Sequence, residues 1–131
     1  MDYTIRNLRE IEDKAASGGF GEHQESRFPR EELKSETVGL AHHFVRPGMR
    51  QAFAHRHRDA EEVFVVLTGH GRVKLGEEIR DIRPLDAIRV APAVARSFEA
   101  GPEGLELLAF GPRHASDGEI VPGDFWSEGE S

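Results

Sequence analysis

The chain contains no cysteine. That excludes disulfide frameworks, zinc-cysteine sites and thiol nucleophiles, so any metal has to be held by nitrogen and oxygen. Long apolar runs are also missing, and none approaches the ~18 residues of a membrane span. Basic residues are in the minority, 17 against 24 acidic ones for a net charge of −7. Nucleic-acid affinity rests largely on clustered Lys and Arg, so nucleic acid is not expected as a partner. The local group Arg46, Arg50, Arg56 and Arg58 is interleaved with turns and strands and reads as solvated surface. The amino terminus, "MDYTIRNLREIEDKAASGG", is charged throughout and lacks the apolar core and cleavage site of a signal peptide. A cytoplasmic protein without a membrane partner is the expectation.

What is present fits one soluble domain over residues 1–131: 37% of the residues are apolar and 31% charged. Asn7 followed by "LREIEDKAAS" predicts a short helix, with Asn7 as cap, Glu10 three residues on, and Leu8, Ile11 and Ala15 on one face until Gly18 and Gly19 end it. Beyond it, Gly and Pro punctuate short runs rich in Val, Ile, Leu and Phe. The spacing predicts nine strands, near 22–28, 36–46, 51–57, 62–68, 71–76, 78–83, 86–91, 94–100 and 104–110. They leave no room for crossover helices, so an all-β, antiparallel jelly-roll barrel is expected.

The run "VFVVL" at 63–67 is apolar on both faces. If Phe64 and Val66 face inward with Glu62, then Val63, Val65 and Leu67 need a second cover, either the amino-terminal segment or the partner of a homodimer. In the polar tail after Pro112, Ile120, Val121, Phe125 and Trp126 are expected to dock on the body.

Chemistry concentrates in "FAHRHRDAEEVFVVLTG", residues 53–69. On a strand, His55 and His57 point to the same side about 7 Å apart. The short turn after them lets the next strand return a carboxylate beside the imidazoles. Two imidazoles and one carboxylate form a set that suits divalent Fe, Mn, Zn, Ni or Co. In "VGLAHHFVRPG", alternation groups His42 with Val38, Leu40 and Phe44, which makes it a candidate cavity residue and leaves His43 at the surface. Gln51 shares parity with His55 and is a candidate pocket residue; Phe53 reads as core, Phe98 as a wall beside Arg96, and His70 as a solvated turn residue. His23 and His114 lie in polar segments without an evident partner.

The stretch "GMRQAFAHRHRDAEEVFVVLTG" resembles the first motif of the cupins: a glycine, H-x-H, a glutamate, and a glycine closing the strand. Glu62, five residues after His57 and seven before Gly69, matches the family's glutamate ligand, whereas Glu61 is one residue out of register. "RPLDAIRVAPAVARSFEAG" resembles the second motif, with Asp86 and Pro92 at its turn and Arg96 where the family usually supplies a third histidine. The resemblance implies a double-stranded β-helix, its barrel core at about 36–112, a helix and strand at 7–28 and a tail at 113–131. It also implies a metal on His55, His57 and Glu62.

A guanidinium does not ligate metals, so two readings of Arg96 stand. In one, a metal sits on the three ligands and Arg96 binds an anionic small molecule, with Gln51 and His42 lining the pocket, as in a dioxygenase or isomerase. In the other, Arg96 pairs with Glu62 and the protein is a metal-free, noncatalytic binding or sensing cupin. The sugar-epimerase type of cupin pairs a histidine with a tyrosine, and the single tyrosine here is Tyr3.

Overall fold

Two long strands organise the chain, and both bend at glycine. In a computed structural model, which describes residues 1–113 and 116–127, β1 is Gln24–Arg27, β2 Val38–Val45, β3 Ala54–His57 and β4 Glu62–Leu75. They are followed by β5 Glu78–Ile82, β6 Ala87–Val90, β7 Arg96–Pro112 and β8 Gly118–Val121. Every pairing is antiparallel. The order runs β1-β2-β7-β3-β8, and β4 pairs with β5, β6 and β7. Among the described residues, no helix is long and apolar enough to cross a membrane.

Where the sequence predicts two strands at 62–68 and 71–76, there is one, β4, and where it predicts 94–100 and 104–110 there is one, β7. The interruption read as a turn is a pair of β-bulges, between Val66 and Thr68 and between Gly69 and Gly71. The first half of β4 pairs with β6 and the end of β7, the second half with β5 and the start of β7. One bent ladder therefore serves both halves of the curled sheet. Gly69 has φ +82°, and a Cβ there would lie 2.0 Å from the Gly104 carbonyl oxygen. A Cβ on Gly71 would lie 2.1 Å from the Glu99 carbonyl oxygen. Backbone passes backbone at the bend too closely for any side chain.

The inner surface of the ladders makes the core: Val45, Phe64, Val66, Val73, Val90, Phe98, Leu105 and Leu107 are each 2% exposed or less. Val63, Val65 and Leu67 are half-buried on the outer side of β4. The amino-terminal segment does not cover them, because Ala15, Phe20, Gln24 and Phe28 lie over the opposite, cavity side.

The predicted amino-terminal helix is split. Leu8–Glu10 is a 3-10 turn capped by Asn7, and α1, Lys14–Gly18, restarts after Asp13. Asp13 Oδ1 accepts from Ala15 N at 3.0 Å and from Ser26 N at 2.9 Å, so one carboxylate caps α1 and ties it to β1. A second short helix, α2 (Arg30–Leu33), fills the link between β1 and β2. In the tail, β8 adds a strand to β3. Trp126 is buried against Ser97, with its Nε1 donating to Ser97 Oγ at 3.3 Å, and the Arg50 and Arg72 guanidinium groups lie 4.8 and 5.7 Å from its ring. Ile120 differs from expectation in staying 64% exposed. His114 lies outside the described residues.

Gly69→Ala and Gly71→Ala are each expected to cost about 2 kcal/mol or more, because both force backbone apart, and at Gly69 the φ of +82° adds to the cost. Gly48→Ala has open space at Cβ and only its φ of +71° against it, so it should cost about 1–2 kcal/mol. Urea denaturation of the three variants checks the ranking.

Candidate metal and ligand site

His55 and His57 alternate on β3 with exposed Arg56 between them, so both imidazoles face inward. Their rings meet edge to face at 5.2 Å. The turn after His57 returns the chain so that Glu62, the first residue of β4, enters from the adjacent strand on the same face as buried Phe64 and Val66. Glu62 Oε1 stands 3.1 Å from His55 Nε2 and 3.2 Å from His57 Nε2. Each residue offers one ligand atom, and these lie within 4.8 Å of one another. Glu61 points outward to Arg89, 3.1 Å away.

Asp117, just before β8, is a member of this site that sequence reasoning missed. Its Oδ1 lies 3.0 Å from His57 Nδ1, and its Oδ2 accepts from the backbone N–H groups of Asp59 and Ala60. The Asp59 N–H and then the His57 hydrogen bond hold its carboxyl well below the usual carboxylate range. An ionised Asp117 needs a donor, so His57 carries its hydrogen on Nδ1 and turns Nε2 toward Glu62. Nothing local in "HASDGEIV" signals this role, which depends on β8 lying beside β3.

Arg96 is completely buried. Its Nη1 is 3.4 Å from Glu62 Oε1, and its Nη2 donates to the Ala91 carbonyl oxygen at 2.9 Å. It is absent from the cavity wall, and so the expected anion-binding role does not match its position: it stands behind Glu62, sealed from any ligand in the cavity. Burial works against its charge and Glu62 supports it. For Glu62, burial opposes ionisation, but the His55 hydrogen bond and the nearby His55, His57 and Arg96 charges outweigh it and hold the carboxyl low.

A cavity of about 350 Å³ opens beside the three residues, with Gln24, Ser26, Ala41, His43, Gln51 and Phe64 among its walls and Phe20 and Phe53 packed edge to face at 5.3 Å. A smaller space of about 160 Å³, lined in part by Arg30, Leu40 and Ala60, reaches His57 and Glu62 from another side. Gln51 lines the larger cavity as expected, its Oε1 accepting from Phe98 N at 3.2 Å. Phe53, expected in the core, is 39% exposed on the cavity wall. Phe98 is fully buried against Phe64, with ring centroids 4.9 Å apart.

The histidines of β2 are reversed from expectation. His42 does share a face with Leu40 and Phe44, but that face is the outer one, where its Nε2 lies 2.7 Å from Glu106 Oε2. His43 faces the cavity with Ala41. A wall that leaves space needs small and polar residues, so the less apolar face of this strand is the inner one. Burial, followed by the charge of His55, pushes the His43 imidazole down to about 4.

A histidine depressed in the folded state stabilises fully above its unfolded value near 6.5, and that contribution is lost as pH falls toward the folded value. Between pH 6.5 and 4 the native protein is therefore expected to lose up to about 3 kcal/mol more stability than His43→Gln. Paired urea titrations across that range check the difference.

No family model and no curated protein matches the chain. Solved structures do. A cupin protein from Bacteroides fragilis matches with TM-score 0.70 at 17% identity, over 100% of this chain and 98% of that one. The polyketide cyclase RemF from Streptomyces resistomycificus matches with TM-score 0.67 at 18% identity, over 98% and 84%. An oxalate decarboxylase matches with TM-score 0.73 at 20% identity, over 88% of this chain but only 31% of that longer one. End-to-end likeness at such low identity speaks for the path of the backbone, and by that path the chain has the cupin fold.

Proposed function

We propose that the chain is a metal-dependent enzyme of the cupin fold, of dioxygenase or isomerase type, acting on a small organic molecule held in the cavity. His55, His57 and Glu62 hold a divalent transition metal of the Fe, Mn, Zn, Ni or Co group, and Asp117 orients His57. The observation that carries this reading is the contact between His57 Nε2 and Glu62. With Nδ1–H given to Asp117, the Nε2 of a neutral His57 presents a lone pair 3.2 Å from a carboxylate oxygen, and it is a buried atom without a hydrogen bond. Two acceptors at that distance repel. A proton on Nε2 relieves the charge but leaves the atom without an aligned bond, whereas a bound divalent cation would satisfy both.

Such an ion, when bound, supplies Lewis-acid polarisation of a substrate oxygen and, if it is iron, redox chemistry. The chain's own residues do the rest. Asp117 holds His57 in one tautomer, Arg96 balances Glu62 from behind, and the aromatic wall limits water beside the ligands. The likeness to a polyketide cyclase and an oxalate decarboxylase supports an enzyme without selecting a reaction.

A second reading has its own observation. Arg96, 3.4 Å from Glu62 Oε1, already brings a positive charge to the carboxylate, as a metal-free, noncatalytic binding or sensing protein requires. Plasma mass spectrometry of protein purified without a histidine tag decides between them. Near-stoichiometric metal, absent from the His55→Ala/His57→Ala double variant, is the expected result; none after reconstitution with Fe(II), Mn(II), Zn(II) or Ni(II) would sink the first reading. Asp117→Asn is expected to weaken metal affinity about 10–100-fold, measured by competition with a chromogenic chelator.

A further inference from the structure

The groups lining the larger cavity point to the kind of molecule it takes. Phe20, Phe28, Phe53 and Phe64 contribute aromatic surface. Among the described residues, the single Lys or Arg on the wall is Lys14, which is exposed and paired with Glu12 at 3.0 Å. Two carboxylates, Glu62 and Glu119, line the same space. Glu62 is balanced by Arg96 and Glu119 by Arg56 at 3.5 Å, so among the described residues the wall offers an anion no Lys or Arg that lacks a carboxylate partner.

One polar feature has a fixed direction. The backbone N–H of Ala52 donates to Gln24 Oε1 at 3.0 Å, and a backbone amide can only donate, so the Gln24 side chain is oriented with its Nε2 toward Ser26. Gln24 Nε2 then donates to Ser26 Oγ at 2.8 Å. Ser26 Oγ is also 2.8 Å from His43 Nδ1. Having accepted from Gln24, the serine hydroxyl can donate its own hydrogen to His43 Nδ1 or, through its second lone pair, accept an Nδ1–H. In the first arrangement the imidazole hydrogen is on Nε2, which makes no hydrogen bond among the described residues. His43 is a wall residue of the cavity, its ring edge to face with Phe28 at 5.7 Å, and an Nε2–H turned into that space would be a donor for a ligand. The depressed proton affinity of His43 agrees with a neutral ring that donates from one nitrogen only.

We propose that the cavity binds an uncharged aromatic molecule carrying a carbonyl or hydroxyl oxygen, and that His43 is a specificity-determining residue whose Nε2–H receives that oxygen. The proposal rests on this cavity being the substrate site of the preceding section, and it replaces an anionic ligand with a neutral one. It is stated for the metal-free protein, since a divalent cation on His55, His57 and Glu62 would add positive charge to the same wall.

The test uses the full chain after EDTA treatment, titrated by NMR with acetophenone, ethylbenzene and benzoate. These share one ring and differ in carrying a neutral oxygen, no oxygen or a charge. Acetophenone is expected to bind about tenfold more tightly than either of the others, the value of one well-placed hydrogen bond or one unsatisfied charge. His43→Phe keeps a ring of similar size without the donor, and should abolish the preference for acetophenone over ethylbenzene while ethylbenzene still binds. Ser26→Ala, which leaves His43 in place, should reduce that preference if His43→Phe does not fold. Long-range proton-nitrogen correlation of the native protein at pH 7 is expected to show His43 protonated on Nε2.

Benzoate binding most tightly, equal affinity for acetophenone and ethylbenzene, or a His43 Nδ1–H tautomer would each overturn the proposal. A protein that takes up no metal yet keeps the acetophenone preference supports the proposal and removes the metal centre alone. Metal uptake with benzoate preferred does the reverse.

Discussion

The structure depends on the bent ladder between β4 and β7. These strands run beside each other through both halves of the curled sheet, and their inner faces supply Phe64, Val66, Val73, Phe98, Leu105 and Leu107 to the core. The bend exists because glycines stand where backbone approaches backbone, Gly69 against Gly104 and Gly71 against Glu99. Without it, the end of β4 that carries Glu62 and the end of β7 that carries Arg96 would not be held around one barrel mouth with β3.

At that mouth, charge balance takes over from packing. One oxygen of Glu62 has two imidazole nitrogens and a guanidinium within 3.4 Å. A buried carboxylate with such neighbours stays ionised, and a buried guanidinium stays charged because the carboxylate is there. Asp117 extends the network by one step, setting which nitrogen of His57 is free. In the same cavity, Gln24, Ser26 and His43 form an uncharged chain of hydrogen bonds in which one backbone amide fixes the orientation of Gln24. The site thus joins a charged group of ligand atoms to a cavity with aromatic walls and an uncharged hydrogen-bonded chain.

Much of the fold was legible because its signals are local. Apolar alternation, Gly and Pro spacing and the absence of room for crossover helices give an antiparallel barrel directly. The misplaced boundaries have a common cause: "TGHGR" and "AGPEG" carry turn chemistry, yet a bulged strand uses the same glycines to bend and continue. The Asp13 cap split the amino-terminal helix by making a tertiary bond to Ser26 while it capped α1.

The sequence by itself determined that His55, His57 and Glu62 meet: parity on a strand and a short return turn are properties of adjacent residues, and no distant contact is needed. Tertiary structure decided everything that depends on which face of a strand is inner or on which distant segments become neighbours. It turned His42 out and His43 in, because a cavity wall favours the less apolar face, while His42 found Glu106 on the outside. It brought Asp117 to His57 from 60 residues away. And it set Arg96 behind Glu62 instead of in front of a ligand, since the start of β7 lies against β3 within the barrel, where a guanidinium is held by its carboxylate and a backbone carbonyl.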